Sequence, residues 1–204
     1  MVGVLVAIGA GYLVVQALDS DKPDTPPAGA TDSYGMRLGE EDAPKSIVIY
    51  EDFLCPFCGQ LEQTVSDQLD AAVEAGETSV EYRPVAFLER YGAYSEESAN
   101  AFAVVLDTSG PEVAKEFHDL LFADQPAEDG PKPDKDDLVD LAVEAGAEEA
   151  DVRPGIEDMT FEGWVEAASE AASQDDVTGT PTVLVDGEVV EFETLDQLVT
   201  AMVG

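Results

Sequence analysis

Two cysteines separated by two residues are the part of this sequence best suited to carry chemistry. They lie in the segment Cys55-Pro56-Phe57-Cys58 and are the only cysteines among the 204 residues. An apolar, β-branched run at 47–50 precedes them and a helical pattern follows, so we place Cys55 at the start of a helix with Pro56 in its first turn. The helix dipole and the free backbone N–H groups there favour a thiolate over a thiol. Because a thiolate is the species that attacks disulfides, we expect redox chemistry at this motif.

Other uses of a cysteine pair have less support in this sequence. A structural zinc site needs four ligands, and the chain offers two cysteines and one histidine, His118. Attachment of a c-type haem needs a histidine directly after the second cysteine, where Gly59 stands. A static disulfide across so short a loop would constrain the unfolded chain little. Two buried, inert cysteines remain an alternative, and we expect no metal and no cofactor.

The composition indicates one acidic globular domain, with or without an insertion. Hydrophobic residues make up 45% of the chain, which suffices for one well-packed core. The 45 acidic residues against 9 basic ones give a formal net charge of −36. Such a surface repels nucleic acid phosphate and anionic lipid headgroups, so we exclude nucleic acid as a partner. We interpret the acidity as solubility or adaptation to a salty exterior, and less readily as attraction of basic clients or cations.

The N-terminal part of the sequence has the pattern of a membrane anchor. Residues 2–18 are apolar apart from Gln16 and carry no charge. As a helix they would be roughly 26 Å long, just short of a bilayer core. No basic residue precedes this run, so we prefer an uncleaved anchor over 1–18 to a cleaved signal. A proline-rich, polar stretch follows, which predicts a flexible linker over 19–34. We therefore expect the chain at the cell membrane, with its folded domain outside the cytoplasm.

Hydrophobic periodicity predicts an α/β domain over residues 35–204. Strands are expected at 36–38, 47–51 and 79–84, with a helix at 56–75. A further strand at 182–185, a two-residue turn at Asp186-Gly187 and a strand at 188–192 predict a hairpin, followed by a helix capped by Thr194. The interval between these two groups is too long for one crossover helix and contains four apolar helical stripes. It is predicted to be a helical insertion at about 94–175.

A second segment complements the cysteine motif. Gly179-Thr180-Pro181-Thr182 stands directly before the strand at 182–185, where a proline is tolerated. Alone, the segment would be an ordinary strand-edge proline. Together with the strand, cysteine motif and helix upstream and the hairpin and helix downstream, it resembles the thioredoxin superfamily, and more narrowly the DsbA-like thiol–disulfide oxidoreductases with a helical insertion. Segments 50–58 and 179–182 carry this resemblance, and segments 112–118 and 161–164 look like the insertion of bacterial extracytoplasmic members.

The resemblance implies a thioredoxin-like fold and specific roles for four residues. Cys55 would be the exposed nucleophile and Cys58 the more buried resolving thiol. Thr180 and Pro181 would form a cis-proline loop whose backbone pairs with an extended client segment. The clients would be unfolded or reduced secreted proteins, and a membrane quinone-linked reoxidase of the DsbB or VKOR type would restore the disulfide.

Some positions near the motif depart from the family pattern. Phe57 stands where the best-known oxidase member has a histidine, so it offers the nucleophile no donor or positive charge. Ile49 stands where related proteins often carry a buried acid, so a proton acceptor for Cys58 must come from elsewhere. Glu51 and Asp52 are the candidates, and solvated carboxylates at a strand end are an equal alternative for both.

Two further residues attract attention, and three functions remain compatible with the motif. We interpret His118 as a partly exposed residue of an insertion helix and not as a base, and Trp164 as a core residue. The favoured function is an extracytoplasmic oxidase that introduces disulfides into secreted proteins through the cysteine motif. A reductase or isomerase on the same fold is the second hypothesis. The third is a non-catalytic, membrane-tethered binding domain in which the motif forms a structural disulfide.

Overall fold

A computed structural model describes residues 25–204 of the chain. The predicted membrane anchor at 1–18 lies outside these described residues. Within 25–204, no helix combines the length and the hydrophobicity that crossing a bilayer requires.

A mixed five-stranded sheet forms the centre of the described structure. Its strands are β1 (Met36–Leu38), β2 (Lys45–Glu51), β3 (Thr78–Pro84), β4 (Thr182–Val185) and β5 (Glu188–Val189), in the spatial order β1-β3-β2-β4-β5. β2 runs parallel to β3, and the other neighbouring strands are antiparallel. As the middle strand, β2 pairs on both sides, and its Ile47 and Ile49 are buried. This central position explains the nearly continuous apolar run that precedes the cysteines.

Six α-helices surround the sheet in the described part of the chain. They are α1 (Pro56–Glu74), α2 (Tyr94–Ala123), α3 (Lys135–Glu144), α4 (Glu149–Glu157), α5 (Glu162–Gln174) and α6 (Leu195–Val203). α1 crosses from β2 to β3 and packs against α2 and α6. The four helices α2 to α5 lie between β3 and β4 in the sequence, where the helical insertion is predicted. The predicted thioredoxin-like α/β fold is confirmed.

The insertion differs from its prediction in two details. Two of the predicted helical stripes belong to α2, which is bent at Gly110, where φ is 83° and Pro111 begins the second half. α4 is not predicted from the sequence, because Pro154 and Gly155 lie inside it and have the character of helix-breaking residues. Glycine is needed at 155, since a Cβ there would lie 2.9 Å from the side chain of Val104.

The C-terminal hairpin has the predicted turn but a shorter second strand. Asp186 and Gly187 join β4 to β5 with φ angles of 53° and 83°, as a type I′ turn requires. The predicted strand at 188–192 is wrong beyond Val189: after the N–H of Val190 donates to the carbonyl of Val183 at 2.9 Å, residues 191 and 192 have no partner residues in β4.

The folded domain begins earlier than the predicted boundary at residue 35. The backbone N–H of Ala28 donates to Asp107 Oδ1 at 2.8 Å, and Thr31 Oγ1 donates to Glu81 Oε1 at 3.0 Å. The ring of Tyr34 lies 6.1 Å from that of Trp164, which is buried as predicted. The predicted linker at 19–34 is therefore wrong at its C-terminal end, because these residues have partners in the fold.

Candidate active site

Asp52 stabilises the turn between β2 and the cysteine motif by hydrogen bonds. It follows the last residue of β2, and its carbonyl accepts a hydrogen bond from the N–H of Cys55 at 2.8 Å. Its buried carboxylate accepts hydrogen bonds from four donors, which are the N–H groups of Leu54, Phe87 and Leu88 and the hydroxyl of Ser95. Burial raises the pKa of this carboxyl group, and the four hydrogen bonds oppose that rise. The alternative of a solvated strand-end carboxylate is wrong for Asp52.

The cysteine motif starts α1. Cys55 is the N-cap residue with extended backbone angles, and Pro56 is the first residue of the helix. The carbonyl of Cys55 accepts from the N–H groups of Cys58 and Gly59 at 3.0 and 3.2 Å, which closes the first turn. Both cysteines are free thiols. This arrangement places the two sulfurs at the end of the helix where negative charge is stabilised.

Hydrogen bonding at the helix start favours the thiolate of Cys55. A hydrogen bond from the thiol of Cys58 lowers the pKa of Cys55 most. Partial burial opposes this effect, while hydrogen bonds from Thr180 and from the N–H groups of Cys58 and Phe57 add to it. The resulting pKa of Cys55 is about 6. At neutral pH this sulfur is mainly a thiolate, which is the reactive form for disulfide exchange.

Cys58 has the opposite preference. Burial raises its pKa well above that of an ordinary thiol, and the hydrogen bond and negative charge of Cys55 raise it further. The charge of Glu51 acts in the same direction. Cys58 is 3% exposed and Cys55 is 5% exposed. The expectation of an exposed Cys55 is therefore wrong, and the carbonyl of Thr180 lies 3.2 Å from its sulfur.

The loop before β4 lies against the first cysteine. The Thr180–Pro181 peptide bond is cis, and the sulfur of Cys55 lies 3.2 Å from the carbonyl oxygen of Thr180, to which it donates when it is protonated. The hydroxyl of Thr182 donates to the carbonyl of Gly179 at 2.7 Å, which tightens the loop. The structure thus brings together two segments that are 125 residues apart in the sequence.

An open cleft of about 500 Å³ lies beside Cys55 and Thr180. Phe57 stands at this cleft with 67% of its surface exposed, the largest exposure among the large hydrophobic side chains in the described residues. The walls combine apolar side chains, one cation, one carboxylate, hydroxyl groups and backbone of the 177–180 loop: Pro56, Phe87, Leu88, Arg90, Glu128, Ser173, Val177, Thr178 and Gly179. An open cleft with apolar and polar walls beside a reactive thiolate suits an extended polypeptide segment.

Gln125 connects the helical insertion to the cysteine turn, and sequence reasoning missed it. It follows α2 closely, and its side-chain amide donates to the carbonyls of Phe53 and Cys55 at 2.9 and 3.0 Å. Gly59 makes room for this amide, since a Cβ at 59 would lie 2.6 Å from Gln125 Oε1. No local sequence signal identifies a glutamine whose partners lie 70 and 72 residues away.

A buried ion pair lies on the inner side of the motif. Glu51, at the end of β2, is 2% exposed, and His118, on α2, is fully buried. His118 Nε2 lies 2.8 Å from Glu51 Oε1, and its Nδ1 lies 2.9 Å from Asp119 Oδ1. The expectation of a partly exposed His118 is therefore wrong, because aromatic rings surround it and carboxylates pair with both ring nitrogens. The solvated alternative is also wrong for Glu51.

Two further residues extend this ion network. The ammonium of Lys115 lies 2.7 Å from both carboxylate oxygens of Asp119 and 3.6 Å from Glu62 Oε1. Glu62 lies one helical turn after Cys58 on α1, and its buried Oε1 makes no hydrogen bond. Glu62, His118 and Asp119 are residue types that bind metals, but the Lys115 ammonium occupies the space facing these carboxylates. The arrangement is an ion network that carries its own cations.

The family follows from comparison with known proteins. The sequence pattern of the thioredoxin family matches residues 31–202. The chain belongs to this family. Among solved structures, DsbA from Mycobacterium tuberculosis is 31% identical with a TM-score of 0.69, and the match covers 83% of this chain and 93% of that one. MdbA from Corynebacterium diphtheriae, a thiol-disulfide oxidoreductase, is 27% identical with a TM-score of 0.71, over 89% and 96% of the two chains. The predicted relationship to DsbA-like thiol–disulfide oxidoreductases is confirmed.

Among curated relatives, the chain matches part of a much larger protein. The serine/threonine-protein kinase PknE of Mycobacterium tuberculosis is 27% identical over 168 residues. The match covers 78% of this chain and 30% of the kinase. The chain thus spans less than a third of the length of that relative.

Proposed function

We propose that this protein oxidises thiols of reduced protein clients by transferring to them a disulfide between Cys55 and Cys58. The observation that supports this function is the position of Cys55: a sulfur with a pKa of about 6, 3.2 Å from the Thr180 carbonyl, at the wall of an open cleft. A client segment in extended conformation fits this cleft and pairs with the backbone at Thr180.

The exchange takes place in two balanced steps. A client thiolate attacks Cys55 Sγ in the oxidised enzyme, the Cys55–Cys58 bond breaks, and Cys58 leaves as a thiolate that takes up a proton. A second client thiolate then attacks the client sulfur of the mixed disulfide, and Cys55 leaves as a thiolate. The client gains a disulfide and the enzyme becomes a dithiol. In this scheme Glu51, which lies on the inner side of the motif, is the proposed acceptor for the proton of Cys58 when the enzyme is reoxidised.

The low pKa of Cys55 supports the oxidising direction. At neutral pH the reduced enzyme holds Cys55 as a stabilised thiolate, while the oxidised enzyme has no such stabilisation. A stabilised reduced state makes a disulfide a better oxidant. This argument favours the oxidase over a reductase on the same fold.

We place this activity outside the cytoplasm, at the cell membrane. Protein disulfides persist in oxidising compartments, and the apolar run at 2–18 supports a membrane anchor. Secreted proteins are then the clients, and a membrane quinone-linked reoxidase of the DsbB or VKOR type returns the dithiol to the disulfide. Cell fractionation tests the location, since recovery of the full chain in the soluble cytoplasmic fraction would contradict it.

The activity is tested with the oxidised protein and a reduced, unfolded client that regains function when its disulfides form. We expect oxidation by the wild type and none by Cys55→Ser, which lacks the sulfur that the client attacks. Cys58→Ser cannot form the disulfide and should not oxidise the reduced client either. With an oxidised client, its Cys55 thiolate attacks the client disulfide, one client sulfur leaves as a thiol, and the mixed disulfide with Cys55 should accumulate because the resolving thiol is missing.

A surface variant on the same helix, Thr64→Ala, serves as the matched control and should oxidise the client at the wild-type rate. Equilibration of the Cys55–Cys58 pair with glutathione tests the direction. A pair that is more reducing than glutathione, or equal client oxidation by the wild type and both cysteine variants, would refute the proposed function.

A further inference from the structure

Arg90 lies at the wall of the cleft beside the reactive cysteine, and the exchange described above gives it no part. It lines the same cleft as Cys55, Phe57 and Thr180. Arg90 is exposed, and within residues 25–204 its guanidinium forms no ion pair and no hydrogen bond. It stacks instead over the ring of Tyr91, with the guanidinium carbon 4.6 Å from the ring centroid. The charge of Arg90 is therefore available to a group that enters the cleft.

The other cations in this part of the chain already have partners. Some form ion pairs with carboxylates, and the rest donate hydrogen bonds to backbone carbonyls. The first group is Arg37, Arg83, Lys115 and Arg153, and the second is Lys45, Lys132 and Lys135. Among residues 25–204, Arg90 is thus the only cation whose charge has no acceptor. This is unexpected in a chain with 45 acidic and 9 basic residues.

Asp52 fixes the position of Arg90 relative to the cysteine turn. The carboxylate of Asp52 accepts hydrogen bonds from the N–H groups of Leu54 and Leu88 at 2.9 and 3.0 Å. A single 3₁₀ turn that contains Arg90 follows Leu88, and the N–H of Tyr91 closes it by donating to the carbonyl of Leu88 at 2.9 Å. One buried carboxylate therefore holds both the turn before the cysteines and the turn that carries the guanidinium.

A guanidinium in this position suits a carboxylate. Its N–H groups form a planar fork that matches the two oxygens of a carboxylate, and stacking on an aromatic ring leaves the edge of this fork free. Among the residues that line the cleft, only Glu128 carries a carboxylate, and it forms no ion pair with Arg90. A carboxylate that pairs with Arg90 is therefore expected to come from the client.

We propose that Arg90 binds an acidic side chain of the client, so that the cleft prefers cysteines with a neighbouring aspartate or glutamate. This proposal deepens the proposed function and rests on it for the nature of the client. The formal net charge of −36 acts in the opposite direction, because it repels acidic clients as a whole. At physiological salt this repulsion is screened beyond about 8 Å, whereas a contact pair in the cleft is screened much less. Arg90 thus selects the local sequence around the client cysteine and not the total charge of the client.

The preference is measured as the rate of mixed-disulfide formation by the Cys58→Ser protein. The substrates are otherwise uncharged peptides whose single cysteine carries a 2-thiopyridyl group. The Cys55 thiolate attacks the peptide sulfur, and the thiopyridyl group leaves with the bonding electrons and takes up a proton to give pyridine-2-thione, whose absorbance gives the rate. Each peptide has either glutamate or glutamine at one position, and the position is moved from three residues before the cysteine to three residues after it.

We expect the ratio of the glutamate rate to the glutamine rate to be about three times larger with Arg90 than with Arg90→Gln. The gain should be confined to one position, or to two positions that are two residues apart, since alternate residues of an extended strand share a face. Arg90→Glu should favour lysine over glutamine at the same position.

Lys135→Gln is the matched control, because it removes one positive charge on α3, outside the cleft. Its rate ratios should equal those of the Cys58→Ser parent at every peptide position. An equal loss in Lys135→Gln, or a gain spread evenly over all positions, would show a general effect of charge and overturn the proposal. An unchanged ratio in Arg90→Gln would overturn it as well.

The assay separates this inference from the proposed function, because it requires only attack by Cys55 and does not depend on the redox direction. If the Cys55–Cys58 pair proves more reducing than glutathione while the ratios depend on Arg90, the oxidase is refuted and the inference stands. If the client is oxidised but the ratios are independent of Arg90, only the inference fails.

Discussion

The two cysteines of the motif lie on one turn of helix, but their sulfurs face different surroundings. Cys55 faces the loop at Thr180, an open cleft and the free N–H groups of the helix start. Cys58 faces the interior, where burial opposes its ionisation most, followed by the hydrogen bond and charge of Cys55. The two residues have almost the same accessible surface, 5% and 3%. Accessible surface therefore does not distinguish their roles, and the balance between hydrogen bonding at Cys55 and burial at Cys58 does.

Asp52 holds the turn that carries both cysteines. Of the substitutions considered, its removal should lower the free energy of unfolding most. Asp52→Ala leaves four donors without an acceptor: three backbone N–H groups and the hydroxyl of Ser95. We expect the free energy of unfolding to fall by about 4 kcal/mol, measured by chemical denaturation. Ser95→Ala removes one of the four donors and should lower it by about 1 kcal/mol. If both variants lose the same small free energy of unfolding, Asp52 does not hold the turn that carries the cysteines.

The contribution of the buried His118 to stability can be separated from other contributions, because it depends on pH. The pKa of His118 is raised in the folded protein to about 10, so its contribution to stability is complete below its unfolded value of about 6.5 and is lost as the pH rises towards 10. In the oxidised protein, the stability difference between wild type and His118→Gln should shrink by about 3 kcal/mol from pH 7 to pH 10. Denaturant titrations at several pH values measure this difference. A constant difference would show that His118 is neutral throughout.

The hydrogen bond between the two sulfurs makes the ionisation of Cys55 depend on Cys58. Because the Cys58 thiol lowers the pKa of Cys55 more than any other group, Cys58→Ala should raise that pKa by about 1 unit. Alkylation of Cys55 against pH measures the midpoint. Cys58→Ser keeps a donor at this position and is the matched control, with a midpoint closer to that of the wild type. A midpoint that is unchanged in Cys58→Ala would assign the low pKa to the helix start and Thr180 alone.

The turn before Cys55 depends on the fit between Gly59 and the side chain of Gln125. A substitution there should change stability least. Gly59→Ala places a methyl group 2.6 Å from the Gln125 amide oxygen and displaces an amide that holds two carbonyls of the turn. We expect a loss of stability of about 1 kcal/mol. In a Gln125→Ala background the same methyl group has room, so Gly59→Ala should then have almost no effect on stability. Thermal unfolding of the four proteins measures the coupling, and simple additivity would contradict it.

The sequence allowed the cysteine motif, the strand before it and the α/β class to be predicted, because these depend on local patterns. The run at 47–50 has the hydrophobicity of a strand buried on both faces, and Asp186-Gly187 specifies its turn by its own chemistry. The kink of α2 was visible as two helical stripes, but their continuity was not. α4 was missed because Pro154 and Gly155 obscure its periodicity, and only the close approach to Val104 explains the glycine.

The inner side of the active site could not be predicted in the same way. The periodicity of α2 places His118 on a helix, but it does not show which element packs against that face. Its partner Glu51 lies 67 residues earlier, and the partners of Gln125 lie 70 and 72 residues away. Such contacts are a property of tertiary packing, and one sequence contains no local signal for them. For the same reason Glu51 and Asp52 could be identified only as candidates.

The distance along the chain between Gln125 and the turn it holds also has a consequence for the order of folding. The cysteine turn is held by a side chain 70 residues later in the sequence, and the Thr180 loop that contacts Cys55 comes 125 residues later. We expect contacts with such long sequence separation to form after the helices and other local structure. During synthesis the cysteines therefore leave the ribosome long before the loop and the amide that hold their turn. Until those groups dock, Cys55 lacks the contact with Thr180 and the cleft beside it, and only the hydrogen bonds within the motif favour its thiolate.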